Sequence, residues 1–126
     1  MGWLDPLECK VARDYLRQGQ LEEAARVLMT SKNCEHRAVR RLLVEVGQQL
    51  VAQAAREAEA GQWELAAKTL DTASQCIALE GDALALQNRV AQALAERKRQ
   101  EEQRLEEQAR IRQQVVEAKR LARAGE

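Results

Sequence analysis

His36, the only histidine of this 126-residue chain, is the side chain best suited to acid–base or metal chemistry. It stands two positions after Cys34, in Cys34-Glu35-His36. A cysteine–histidine nucleophile pair requires the two side chains to meet, and residues two apart on a helix point in different directions. Cys76 could join them as a metal ligand, but no CxxC or HxxxH spacing supports a zinc site. We therefore predict no catalytic residue and no metal site, with His36 as a partly exposed residue of a first helical turn.

Glycine and cysteine usage also argues against catalysis. The six glycines are isolated from one another, so the phosphate-binding loops of nucleotide enzymes are missing. The three cysteines are best explained as structural thiols in a reducing compartment. We find no signal peptide and no apolar run long enough to span a membrane. The sequence thus predicts a cytoplasmic protein that is not an enzyme and needs no cofactor.

A cluster of arginines is a candidate binding site instead; it consists of Arg37, Arg40 and Arg41. Arginine donates paired hydrogen bonds to carboxylates, so an acidic peptide or protein segment is the expected ligand. The alternative is that these are solvated charges balanced by nearby glutamates. The glutamates concerned are Glu22, Glu23, Glu35 and Glu45.

The overall composition favours helices and argues against strongly charged partners. Hydrophobic residues make up 45% of the chain, there is no Phe, and Glu, Gln and Arg are abundant. Basic and acidic residues number 20 each, so the formal net charge is zero. Nucleic-acid binders and membrane-surface binders usually carry a basic excess. We therefore expect no membrane contact and no general affinity for nucleic acid.

Turn and cap residues divide the chain into five predicted helices. Asp5 can cap the first helix, and Pro6 suits its first position. Gly19, Gly61 and Gly81 are expected to end helices in a left-handed conformation. The predicted helices cover about 6–18, 21–29, 34–60, 63–79 and 82–124.

The third predicted helix carries apolar residues at three- and four-residue spacing, which places them on one face. They are Leu42, Leu43, Val46, Leu50, Val51, Ala54 and Ala58. Gly47 lies inside this helix at a cost of about 1 kcal/mol relative to alanine. We expect it to mark the close approach of another helix.

Two nearly identical decapeptides reveal an internal repeat. GQLEEAARVL starts at Gly19 and GQWELAAKTL starts at Gly61, 42 residues later (61 − 19). Cys34 and Cys76 keep the same offset. Repeats of this length are supersecondary units that must stack to bury a core. Trp63 is accordingly predicted to be a core residue rather than a ligand-stacking one.

The repeat resembles the turn and second-helix start of a tetratricopeptide repeat. In that family a glycine closes the first helix, a large apolar or aromatic residue follows two positions later, and a small alanine lies where two helices cross. The matching residues are Gly19, Leu21 and Ala24 in the first unit and Gly61, Trp63 and Ala66 in the second. Tyr15 stands where the family often has an aromatic residue, while the equivalent Glu57 and the 42-residue period depart from the pattern.

The resemblance implies a protein-binding module. Tetratricopeptide-like proteins generally bind other proteins, along a concave face lined by the first helix of each pair. Arginines of the first and third predicted helices would then face one shared groove that suits an acidic partner. The predicted partner-binding residues are Arg13, Arg17, Arg37, Arg40 and Arg41.

The last predicted helix, 82–124, contains neither proline nor glycine. Its middle, residues 96–108, holds a single apolar side chain, and oppositely charged residues four apart support a solvated helix. Glu101 and Arg104 interrupt the heptad seams, so a partial coiled coil and a free-standing charged helix both stay open.

The final residues, 122–126, are similar to the segments that surround Gly19 and Gly61. This similarity predicts the first helix of a third hairpin, cut at its turn, and a chain that belongs to a longer protein.

We predict an all-α protein with two stacked tetratricopeptide-like helical hairpins over residues 1–95 and an extended charged helix over 96–126. Its predicted function is protein–protein interaction or scaffolding. One alternative is a structural homodimer joined through the long helix. A second is a nucleic-acid contact through the tail, where basic residues accumulate. These residues are Arg110, Arg112, Lys119, Arg120 and Arg123.

Overall fold

The computed structural model describes residues 6–33 and 35–125, and this part of the chain is all-α. Five helices occur there: α1 (Leu7–Arg17), α2 (Leu21–Met29), α3 (Arg37–Glu59), α4 (Trp63–Cys76) and α5 (Asp82–Ala124). The all-α prediction is confirmed, and α2 and α5 have the predicted bounds. Predictions made for Asp5 and Cys34 fall outside the described residues.

Two compact units make up the chain, Met1–Ala91 and Gln92–Glu126. The first unit holds α1 to α4 and the start of α5. Within it α1 packs on α2 and α3 packs on α4, and α3 also contacts both α1 and α2. The first four helices therefore form two helical hairpins with contacts between them.

Aliphatic and small side chains fill the core of the first unit. Leu28, Leu50 and Leu70 are almost completely buried, and each contributes about 1.5–3 kcal/mol by leaving water. The repeat-equivalent alanines Ala24 and Ala66 are both 0% exposed. Residues this small at equivalent positions let neighbouring helices approach closely, which explains why the decapeptide repeat keeps alanine there.

Trp63 is only partly buried, although it was predicted to be a core residue. Its repeat equivalent, Leu21, is buried. An indole is large enough to leave part of its ring in water while the rest packs, so tryptophan is rarely fully buried.

Glycines in the left-handed region end two helices as predicted, Gly19 after α1 and Gly61 after α3. The prediction for Gly81 is wrong, because α4 already ends at Cys76 and Gly81 lies directly before α5. The φ angles are 75° at Gly19, 78° at Gly61 and 56° at Gly81. A side chain would strain the backbone at these angles, so glycine is the residue that allows each turn.

The ends of α1 and α3 and the last residue of α4 differ from the prediction by one to three residues. Helix α1 begins at Leu7, and Pro6 is its N-cap residue with φ −57° and ψ 151°, not its first helical residue. Helix α4 ends at Cys76 and not at residue 79, because Ile77 is extended, with φ −141° and ψ 158°. The chain therefore leaves the helical path one turn before the predicted stop.

Gly47 does mark a close approach, but the neighbour is the side chain of Ile77, just past the end of α4, and not another helix. A Cβ atom added to Gly47 would lie 2.8 Å from both Cγ1 and Cγ2 of Ile77. The predicted apolar face around Gly47 is confirmed: five of its residues are buried and two are partly buried. The buried ones are Leu42, Val46, Leu50, Ala54 and Ala58, and the partly buried ones are Leu43 and Val51.

Helix α5 is partly buried near its start and exposed along the rest of its length. Leu86 and Val90 are buried near its start, while every described residue from Ala95 onward is exposed. In the exposed part ion pairs join side chains three apart, such as Glu101 and Arg104, rather than four apart as predicted. The hydrogen bond from Arg104 lowers the pKa of the Glu101 carboxyl.

Candidate protein-interaction site

His36 has a structural role at the start of α3. It is extended, with φ −66° and ψ 136°, and its Nδ1 accepts a hydrogen bond from the Ala38 N–H at 3.1 Å. This N-cap explains why α3 begins at Arg37 and not near residue 34 as predicted. Since Nδ1 already accepts this hydrogen bond, it is not free to bind a metal ion.

No group of three His, Cys, Asp or Glu side chains that could hold a metal ion occurs in residues 6–33 and 35–125. Cys34, which we considered together with His36, lies outside these ranges. Cys76 is partly buried and Cys9 is fully buried. The described cysteines therefore line the interior of the first unit rather than a reactive cleft.

Three of the five predicted site residues come together on the outer side of α3. Arg37, Arg40 and Arg41 line a shallow depression with Glu35 and Val44. Their spacing of three and four residues puts them on the side of the helix opposite its buried face. Val44 is 46% exposed, so an apolar side chain lies among the three guanidinium groups. We name Arg37, Arg40, Arg41 and Val44 the arginine face.

The position of the arginine face within α3 is electrostatically unfavourable. The first turn of a helix carries positive partial charge from unsatisfied N–H groups, and acidic residues there are stabilising. Helix α3 has no acidic residue in its first turn, whereas the other four helices each have at least one. Those acidic residues are Glu8, Glu22, Glu23, Glu64 and Asp82. The arginine face thus adds positive charge where a helix already has it.

Ion pairing within the chain does not neutralise the arginine face. Five arginines elsewhere lie three residues after the carboxylate with which they pair. These pairs are Asp14–Arg17, Glu23–Arg26, Glu96–Arg99, Glu101–Arg104 and Glu107–Arg110. Three residues before Arg40 the sequence has Arg37, and before Arg41 it has Ala38. No ion pair of the arginine face occurs in the described parts of the chain.

Arg13 and Arg17 lie elsewhere, on α1. They line a second depression together with Leu16, Leu42 and Glu45. Arg17 also pairs with a carboxylate of its own helix, Asp14, at 3.4 Å. This depression and the one at the arginine face share no lining residue, so the five arginines line two separate depressions.

The end of α5 has its own basic surface. Val116, Lys119, Arg120 and Arg123 line an exposed hollow along one side of the helix. Three of the five basic residues that suggested a nucleic-acid contact are therefore neighbours there.

One signal of the arginine face depends on the helix starts. Each helix except α3 has an acidic residue in its first turn, but the predicted start of α3 at residue 34 would have included Glu35 and hidden this difference. The cap formed by His36 was not visible, because the histidine lies among cap-forming residues that compete for the same role.

Comparisons of the chain with protein-family models, curated proteins and solved structures found no match. Similarity therefore assigns neither a family nor an activity to it. Within the described residues, every helix is either too short or too polar to cross a bilayer.

Proposed function

We propose that this chain is a non-catalytic protein-interaction module that binds an acidic segment of a partner protein through the arginine face. One observation carries the proposal: three exposed arginines stand at the positive end of α3, and no carboxylate of the described chain pairs with them. This arrangement costs electrostatic free energy in the free chain, and bound carboxylates relieve it.

The arginine face also indicates what the acidic segment looks like. Val44 lies among the guanidinium groups and is 46% exposed, so it offers an apolar contact. The best ligand has aspartate or glutamate on both sides of an aliphatic residue, because each chemical group then meets its counterpart. Arg13 and Arg17 belong to a separate surface and add long-range attraction to an acidic partner rather than direct contact.

We further propose that the two hairpins are tetratricopeptide-like. Support comes from the left-handed turn glycines Gly19 and Gly61 and from the fully buried Ala24 and Ala66 at equivalent positions. Binding by such hairpins requires no catalytic group, which agrees with the use of the only histidine as a helix cap.

Fluorescence anisotropy with a labelled peptide of alternating acidic residues around one leucine tests the proposed function. Arg40→Ala/Arg41→Ala should weaken binding at least about ten-fold, which is about 1.4 kcal/mol. The matched control, Arg56→Ala/Arg89→Ala, removes the same charge from exposed positions elsewhere and should leave affinity within about two-fold. Equal losses in the two variants, or no binding by the parent chain at low salt, would reject the arginine face as the site.

A further inference from the structure

The end of α5 exposes a row of apolar residues that is separate from its basic side. Val115, Ala118, Leu121 and Ala122 follow one another at spacings of three, three and one, which keeps them on one side of a helix. All four are exposed, with Val115 at 47% and Leu121 at 68%. We name these four residues the closing face.

The closing face has the same spacing, relative to a glycine, as two rows in the first unit. Each of its four residues lies as many positions before Gly125 as the equivalent residue of α1 lies before Gly19 and that of α3 lies before Gly61. The equivalent residues are Cys9, Ala12, Tyr15 and Leu16 in α1, and Val51, Ala54, Glu57 and Ala58 in α3. A small alanine stands at the second position in all three rows.

In α1 and α3 these rows are covered. Cys9 and Ala12 are 0% exposed and belong to the core cluster that contains buried residues of α2. In the second hairpin, Glu57 accepts a hydrogen bond from Thr69 of α4 at 2.6 Å. The helix that follows each turn glycine therefore lies on the row that precedes it.

The two covering helices have a common sequence pattern. Each starts with a large apolar residue and an acid, then has two alanines and a leucine at the same spacing: Leu21-Glu22-x-Ala24-Ala25-x-x-Leu28 and Trp63-Glu64-x-Ala66-Ala67-x-x-Leu70. Ala24 and Ala66 are fully buried, so the small side chain lies in the contact. The acidic residue, Glu22 or Glu64, lies in the first turn of the covering helix, next to the glycine turn.

Charge at the end of α5 complements such a helix. Lys119, Arg120 and Arg123 surround the last turn, and Glu117 is the only acid among residues 111–125. An antiparallel helix on the closing face would begin beside these basic residues, where α2 carries Glu22 and Glu23. A second copy of the tail would bring the same basic residues to the contact, which is less favourable.

We propose that the closing face binds one antiparallel amphipathic helix of a partner protein, with the pattern large apolar, acid, any, Ala, Ala, any, any, Leu. The closing face and the arginine face are independent surfaces, so this proposal goes beyond the proposed function and does not depend on it.

The α2 sequence itself supplies the probe. We would join a copy of residues 20–33 directly after Gly125 of the full chain, which raises the effective concentration of the helix to about millimolar. Hydrogen exchange of the amides in 111–124 should then slow at least about ten-fold relative to the original chain, because docking protects an otherwise solvent-exposed helix. The matched control carries aspartate in the copy in place of the residues corresponding to Ala24 and Leu28, and should give no protection.

Ala118→Arg in the extended chain provides a second control. Ala118 is exposed in α5, so the variant should fold normally and lose the protection. It should also bind the acidic peptide as well as the parent does, which separates failure of this proposal from failure of the arginine face. Equal exchange in the extended chain and in the aspartate control overturns the proposal.

Two further outcomes identify a different occupant and also overturn it. Protection in the original chain that rises with its concentration, together with dimer mass in sedimentation, means that a second copy covers the closing face. Protection that appears only with vesicles containing phosphatidylserine means that the tail lies on an anionic membrane surface.

Discussion

The hydroxyl of Thr69 donates a 2.6 Å hydrogen bond to the carboxylate of Glu57 inside the second hairpin. Glu57 is only 8% exposed and Thr69 is 0% exposed. The repeat equivalents in the first hairpin are Tyr15 and Val27, 42 residues earlier, which form no such pair. At this position of the repeat the second hairpin therefore has a polar contact that the first hairpin lacks.

Removal of the Thr69 hydroxyl should leave a buried carboxylate without its main donor. We expect Thr69→Val to lower the free energy of unfolding by about 1–3 kcal/mol, measured by urea denaturation. The double variant Glu57→Met/Thr69→Val should recover most of this loss, because replacing both partners by apolar groups removes the need for the hydrogen bond. If the two substitutions were simply additive, the pair would not be an energetic unit.

Gly47 and Ile77 should also form an energetic unit. Gly47→Ala normally stabilises a helix by about 1 kcal/mol, but here the new methyl group would lie 2.8 Å from two carbons of Ile77. We expect a net loss of stability in the parent chain and a net gain when Ile77→Ala is already present. Thermal unfolding of the four proteins of this double-mutant cycle measures the effect of Gly47→Ala on stability with and without Ile77→Ala. An effect of the same sign in both backgrounds would contradict the close contact.

The His36 cap should contribute about as much to the free energy of unfolding as other N-caps do. His36→Ala removes the acceptor for the Ala38 N–H, so we expect a loss of about 1 kcal/mol in urea denaturation. His36→Asn keeps a side-chain acceptor at the cap and should retain the stability of the parent. A loss of equal size in both variants would mean that the imidazole stabilises the chain by packing instead.

Cys76 should react slowly with alkylating reagents. Burial raises the pKa of its thiol above the ordinary value, so less thiolate is present at mildly alkaline pH. We expect iodoacetamide to label Cys76 more slowly in the folded chain than in the urea-unfolded chain, as followed by peptide mass spectrometry. The raised pKa favours the protonated thiol in the folded state. The contribution of the Cys76 thiol to the free energy of unfolding is therefore present at neutral pH, and it is lost as the pH rises through the ordinary pKa of a thiol and then through the raised pKa of Cys76. Equal labelling rates in the two states would contradict the burial.

Local sequence was sufficient to predict the helices whose ends are set by their own residues. Helix α2 lies between a left-handed glycine turn and the polar residues that follow Met29, and α5 has no residue that breaks a helix before Gly125. The apolar face of α3 was predictable for the same reason, because spacing alone decides which side chains share a side of a helix.

Helix ends that depend on distant partners were not predictable in this way. Helix α4 stops at Cys76, where Ile77 packs against Gly47 of α3. The burial of Glu57 likewise depends on a hydroxyl from another helix. Each of these contacts joins residues that the pattern around either one does not reveal.

The candidate site shows the same division. The sequence by itself determined that Arg37, Arg40 and Arg41 share one side of a helix, because this follows from spacing within one helix. The structure was needed to show that α3 lacks an acid in its first turn, because the predicted start at residue 34 would have placed Glu35 there. Only the tertiary structure decided that Arg13 and Arg17 line a different surface, with Leu42 and Glu45 of α3. The physical reason is that helical periodicity specifies which residues lie on a face, while the packing of helices decides what that face meets.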